Sequence, residues 1–289
     1  MRRSRRETVI RGAMREHRTQ GSQGSGSIAT ARSGKGITAG LRLRGHDPAI
    51  AGLLYNQPML ILAIDTALDA CAAAILDTGT SKLIAMESLS MKRGHAEALM
   101  PLIARVMKDA ALPFVALDRI AVTTGPGSFT GLRVGLSAAR GIALAAGKPA
   151  VGLTTLSAYA APIVSEGGEE PVISAIDARH DQVYFQAVSG NGSSLVRPRV
   201  GKIEEALAAS RFGAPHLVGN AAKILADRWP KDAPQPVQID AQAAPDISWV
   251  AWLGAAVSPD TAPARPFYLR APDAKPSQDV TPPQPATSS

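Results

Sequence analysis

The chain has 289 residues, 45% of them hydrophobic and 19% charged, a globular balance that excludes disorder along its whole length. Asp65 and Asp69 break one long apolar stretch and Arg140 and Lys148 another, which excludes a membrane span; one cysteine, Cys71, excludes an internal disulfide and a cysteine-rich zinc site. The formal charge of +7 divides into +8 over residues 1–58 and −1 over residues 59–289, so the body carries no general electrostatic footprint for nucleic acid.

Residues 1–58 read as lying outside the core. Seven arginines crowd the first 18 positions and GSQGSGS follows at 21–27, a flexible composition. Three readings stay open: a targeting peptide, a basic arm for RNA or acidic lipid, or sequence upstream of a true start at Met59. Met59 opens MLILAID, a strand over residues 60–64. A second strand is expected over 71–76, a turn over 77–81, and a third strand over 82–88. Residues 95–111 carry Leu99, Leu102, Ile103, Val106 and Ala110 at helical spacing, with Pro101 inside the pattern as a kink or an irregular first turn. A short strand over 118–124 leads through Gly-Pro-Gly-Ser-Phe-Thr-Gly into a helix reaching Ala146, and a strand restarts over 148–151. Strands and helices alternate, so the class is α/β. Residues 271–289 are rich in Pro, Ser and Thr and are expected to be disordered.

The segment ILAIDTALDACAAAIL at 61–76 returns, 112 positions later, as ISAIDARHDQVYFQAV at 173–188. Both share Ala-Ile-Asp, a second Asp four residues on, and flanking apolar runs. A buried strand that ends in a carboxylate, a tight turn and a returning strand is the shared unit. A duplicated unit implies two lobes with a cleft between them; chance likeness of two hairpins is the alternative.

Residues 125–131 are the strongest local signal. Backbone N–H groups at a helix start attract anions, and glycine lets the backbone approach a phosphate. The spacing matches neither standard nucleotide fingerprint, and Ser128 is equally suited to capping the helix. A tight strand-to-helix turn is the competing reading. Asp65, Thr66, Gly125, Gly127 and Ser128 are the weak nucleotide-binding candidates. Asp65 and Asp177 suit either a hydrated magnesium ion or the capping of turns. Gly131, Gly135 and Ala139 follow at i, i+4, i+8, beside Leu132, Leu136 and Leu144, which points either to core packing or to a helical subunit interface. No His pair has metal-site spacing and no nucleophile elbow is present, so no catalytic residue and no metal ligand is assigned.

MLILAIDT at 59–66, HAEALMPLI at 95–103, TGPGSFTGLRVG at 124–135, DARHDQVY at 177–184 and FYLRAP at 267–272 together resemble the bacterial TsaB (YeaZ) family. The resemblance covers about residues 59–272. It implies an actin-like fold of two ribonuclease-H-like lobes, with the first lobe at 59–158 and the second at 159–270. It implies a place in the machinery that makes threonylcarbamoyladenosine at position 37 of tRNA. The catalytic paralogue, TsaD, carries an H-x-x-x-H metal motif after its glycine-rich helix; here the comparable residues 153–159, LTTLSAY, hold no histidine. The resemblance therefore implies a non-catalytic dimerisation and activating subunit of a cytoplasmic complex. Its partners would be a TsaD-type paralogue and a TsaE-type ATPase, with tRNA met through the complex, a homodimer as a further option, and no membrane. No cofactor is expected to be tightly bound; ATP and magnesium would act at the level of the complex. Helices 95–111 and 129–146 match the family's dimerisation elements, which makes His95, Leu99, Leu102, Gly131, Leu132, Gly135 and Leu136 interface candidates. Gly135→Leu is then expected to break association while leaving the lobes folded. The alternative from another class is an independent actin-like ATP-dependent kinase or ATPase.

Overall fold

The computed structural model describes residues 58–270. The basic segment before Pro58 and the Pro-rich tail after Arg270, with the expectations attached to them, lie outside the described residues.

Strand β1 (Leu60–Asp65) is buried over five of its six residues. It lies between β2 (Ala70–Asp77), antiparallel, and β4 (Arg119–Gly125), parallel, so both its faces and both its edges are covered. That is why it reads as a continuous apolar run. β3 (Lys82–Ser90) is an edge strand and alternates in exposure down most of its length, with Ile84 and Met86 facing outward. Helix α1 (His95–Asp109) lays Leu99, Leu102, Ile103 and Val106 on the sheet. Pro101 sits within α1 as an exposed residue, and one helix is assigned across it. Helix α2 (Phe129–Ala146) starts on Ser128, whose hydroxyl accepts from the Gly131 N–H, and ends on Gly147 at φ 65°. β5 (Ala150–Thr154) closes the sheet two residues later than the sequence pattern suggests.

Helix α3 (Thr155–Glu166) leads to the second lobe. There β6 (Val172–Asp177), β7 (Gln182–Val188), β8 (Ser194–Lys202), β9 (His216–Val218) and β10 (Gln238–Asp240) form a second sheet. The short helices α4 (Ile203–Leu207) and α5 (Ala222–Asp227) cover one face, burying Ile203, Ala206, Ala222 and Leu225 against Ile173, Ala175 and Phe185.

The two sheets run β3-β2-β1-β4-β5 and β8-β7-β6-β9-β10, the same order built twice. In each, an antiparallel hairpin is extended by a parallel strand beside its first member. The internal repeat is therefore structural: β1–β2 corresponds to β6–β7. This is the α/β, actin-like arrangement of two ribonuclease-H-like lobes that the resemblance implies.

Within the expected second-lobe range of 159–270, one helix packs elsewhere. Helix α6 (Ile247–Ala256) follows the second sheet in sequence but packs on the first, with Val250 and Ala251 in one cluster with Ile61, Ala63 and Ala121. Gly254 lies so close to Ala121 that a side chain would overlap it. The Arg119 guanidinium donates to the carbonyls of Gly254, Ala255 and Val257 at 2.8–3.0 Å, meeting the negative end of the α6 dipole. Apolar coverage of the first sheet's open face, not sequence order, assigns α6 to the first lobe.

Candidate functional site

The β1–β2 turn and the N-terminus of α2 meet along one wall of the interlobe cleft. Thr66 donates its hydroxyl to Gly131 O at 2.8 Å, and Ser128 N donates to Ala67 O at 2.7 Å. A Cβ on Gly127 or Gly131 would overlap the carbonyls of Ala67 or Thr66. The glycines thus admit the chain's own backbone where a phosphate would otherwise approach, and the Ser128 N–H is already spent on a carbonyl. Gly125, at φ +111° and followed by a cis bond to Pro126, faces Leu132 and Phe267 O. The capping and tight-turn reading accounts for every glycine in the loop.

Asp65 is fully buried. Its Oδ1 accepts from Thr123 Oγ1 at 2.5 Å and from Ala67 N at 3.1 Å, while Oδ2 has no partner. Burial pushes the carboxyl above its ordinary value, against the hydrogen bonds from Thr123 and Ala67 and the nearby His95. Asp177 occupies the equivalent position of the second lobe but is exposed, its Oδ1 accepting from Arg179 N at 2.8 Å. Each aspartate accepts from the N–H two residues on, so the same turn is made twice. Asp177 lines the cleft and Asp65 does not; they are not a facing pair for magnesium. Of the weak nucleotide candidates only Gly127 and Ser128 reach the cleft; Thr66 and Gly125 are also outside its lining. Among the described residues no three His, Cys, Asp or Glu side chains are grouped to hold a metal.

The cleft has a volume of about 450 Å³. Ser128 and Phe129 form its first-lobe wall, Arg179, Tyr184 and Asn220 its second-lobe wall, and residues 267–270 cross between them. The sequence reading missed Arg179, Asn220 and these crossing residues as a group, because they are brought together from distant segments.

The interface candidates require a larger correction. His95, Leu99, Leu102, Gly131, Leu132, Gly135 and Leu136 are all buried in the first lobe. His95 Nε2 lies 3.1 Å from Leu68 O, and a Cβ on Gly135 would overlap the Thr66 hydroxyl. These are the inward faces of α1 and α2. Gly135→Leu is therefore a folding lesion, not an interface probe.

The outward faces form a different surface. Ala96, Met100, Thr130, Val134, Ser137 and Ala138 line one groove of about 510 Å³, with Arg133 at its edge. A second, of about 400 Å³, lies between Met100, Phe114, Val115, Gly141 and Ala145. Met100 is 48% exposed, Val115 67% and Leu144 85%. The two grooves share Met100 and Ala138 and so adjoin one another. Their signal in the sequence is Met100, an apolar residue off the 99/102/103/106 stripe, and the run of small residues at 137, 138, 141 and 145. Among the described residues no helix is long and apolar enough to cross a membrane.

The sequence model of the family described as TsaD, tRNA N6-adenosine threonylcarbamoyltransferase, matches residues 82–251. TsaB of Haemophilus influenzae is 36% identical over 132 residues, 46% of this chain and 55% of that protein. TsaB of Escherichia coli is 35% identical over 127 residues, 44% and 54% of the two chains, so the chain spans about half the length of these curated relatives. An uncharacterized Mycobacterium tuberculosis protein is 32% identical over 223 residues, 76% of this chain and 96% of its own. The solved YeaZ of Pseudomonas aeruginosa is 28% identical, with a TM-score of 0.61 over 73% of this chain and 100% of that one. With the duplicated sheet order, these matches show that the chain belongs to the TsaB (YeaZ) family.

Proposed function

We propose that this chain is a non-catalytic dimerisation and activating subunit of the complex that forms N6-threonylcarbamoyladenosine at position 37 of tRNA. A TsaD-type paralogue docks on the outward faces of α1 and α2. The single observation that carries the reading is the pair of apolar grooves that Met100 lines together with Val134, Ala138, Gly141 and Ala145, on two helices whose inward faces are already filled by their own core. Docking there favours the competent conformation of the partner by binding it preferentially. The TsaE-type ATPase, ATP, magnesium and tRNA enter at the level of the complex, in the cytoplasm. The filled glycine loop is consistent with this division, since the phosphate-facing role it would need in an independent kinase is taken by backbone carbonyls.

The test is co-purification of the chain with the TsaD-type protein of the same organism, sized by light scattering, with a tRNA-modification assay run with and without the chain. A heterodimer, together with modification that requires the chain, is the expected result. Met100→Glu and Leu144→Glu each leave the fold intact and weaken association at least about tenfold, the loss expected for a charge placed in an apolar contact. Self-association that the same two variants abolish would assign the face to a homodimer. ATP turnover by the chain alone, without association, would favour the independent ATP-dependent enzyme.

A further inference from the structure

The end of the described chain joins the two lobes unequally. After α6 the backbone stays on the first lobe. Gly152 N donates to Ala262 O at 2.8 Å, Val151 bridges to Pro263, and Arg140 Nε donates to Ala264 O at 2.8 Å. Phe267 N then donates to Thr124 O at 2.8 Å, and Tyr268 stacks on Phe129 with ring centroids 5.3 Å apart. The Arg133 guanidinium lies 3.8 Å from the centre of the same Phe129 ring. The backbone bonds, the Arg140 hydrogen bond and the Tyr268–Phe129 contact hold residues 262–268 to the first lobe, and Arg133 packs on the Phe129 ring from within α2.

Two positions later the chain reaches the second lobe. The Arg270 guanidinium donates to Ala178 O at 3.1 Å and to Gln182 Oε1, and lies 5.9 Å from the centre of the Tyr184 ring. The receiving hairpin is conformationally unusual. Arg179, His180 and Asp181 are three successive non-glycine residues at positive φ, 61°, 51° and 59°. Side chains disfavour that region, so a run of three persists only where surrounding contacts hold it. The two groups that Arg270 grips, Ala178 O and the Gln182 side chain, flank the run on either side.

We propose that residues 267–270 are a clamp across the interlobe cleft, anchored on the first lobe and latched to the β6–β7 hairpin by Arg270. The anchor rests on several backbone bonds and an aromatic stack, whereas the latch is one side chain, so the latch can open without disturbing the anchor. Release of Arg270 separates the hairpin from the strap, widens the cleft and gives solutes fuller access to the half-buried Tyr184 and Asn220. The cleft is therefore gated by the chain itself, and this holds whatever occupies the α1–α2 face.

The test uses the full chain with cysteines introduced at Lys92 and Glu204, exposed positions of the first and second lobes, and spin-labelled for distance measurement. Cys71 is fully buried and stays unlabelled. Arg270→Ala is expected to shift the distance distribution to longer values and broaden it. Hydrogen exchange at the Ala178 and Gln182 amides should accelerate, while exchange within α2 stays unchanged. Arg270→Lys should fall between, because an ammonium group cannot reproduce the two-sided grip. Arg265→Ala, which removes an equal charge from the first-lobe part of the strap, should leave the distances as in the wild type. Identical distributions in the wild type and Arg270→Ala, with the variant folded by circular dichroism, would overturn the clamp. A shift of equal size in Arg265→Ala would also overturn it, by assigning the effect to net charge.

Discussion

Thr66 donates its hydroxyl to the carbonyl of Gly131 at 2.8 Å, tying the end of β1 to the first turn of α2. A Cβ on Gly131 would overlap the Thr66 carbonyl, and one on Gly135 would overlap the Thr66 hydroxyl. The two clashes differ in kind, because one obstacle is backbone and the other a side chain. Gly135→Ala is expected to cost about 1–3 kcal/mol, the usual penalty of overpacking. Adding Thr66→Ala should recover part of that loss as a favourable coupling in a double-mutant cycle. Gly131→Ala should be the more damaging change and should not be rescued by Thr66→Ala. Urea unfolding of the wild type, the three single variants and the two double variants decides this.

The two faces of α1 should separate stability from association. Leu99 is buried and Met100, its neighbour, is half exposed. Leu99→Ala is expected to cost about 2–5 kcal/mol of stability through cavity formation. Met100→Ala should change stability by less than about 0.5 kcal/mol and show its effect only in binding to the TsaD-type partner. Thermal melts beside titration calorimetry check both halves.

Stability should depend on Asp65 in a specific direction of pH. Burial raises this carboxyl above its ordinary 3.8, so the folded protein holds the proton more tightly than the unfolded chain. The contribution is fully present below the unfolded value and is lost as pH rises through the folded one. Asp65→Asn cannot titrate. The stability of the wild type relative to this variant should therefore fall as pH rises from about 4, then level off. Urea midpoints of both proteins across a pH series measure it, and parallel curves would contradict it.

Cys71 is fully buried on β2. Burial first, then the charges of Asp65 and Glu87, push its thiol up to about 11. The reactive thiolate is then a trace species at pH 8. A chromogenic disulfide reagent should leave the native protein unlabelled and modify one thiol per chain in denaturant. Rapid native labelling would mean that the first sheet opens on the reagent's timescale.

Local pattern settled much of this protein. β1 and β2, α1 and the extent of α2 follow from apolar runs, helical spacing and the Ser128 cap, because each depends on neighbours within a few residues. The repeat at 61–76 and 173–188 foretold the paired lobes, since it encodes a hairpin and its terminal carboxylate in consecutive residues. The α2 glycines were legible as a packing feature, but not as one directed inward. Periodicity shows that small residues share a face; it does not show what lies opposite. Only the tertiary structure put Thr66 there, and it left Met100, Val115 and Leu144 as the exposed apolar side chains instead. It also returned α6 to the first lobe and carried Arg270 across the cleft to Ala178, 92 positions away in sequence. The sequence by itself determined these first-lobe elements, the repeated hairpin and the family, because those rest on local chemistry. The placement of Asp65 inside and Asp177 outside, at equivalent positions, was decided by what each lobe packs around it.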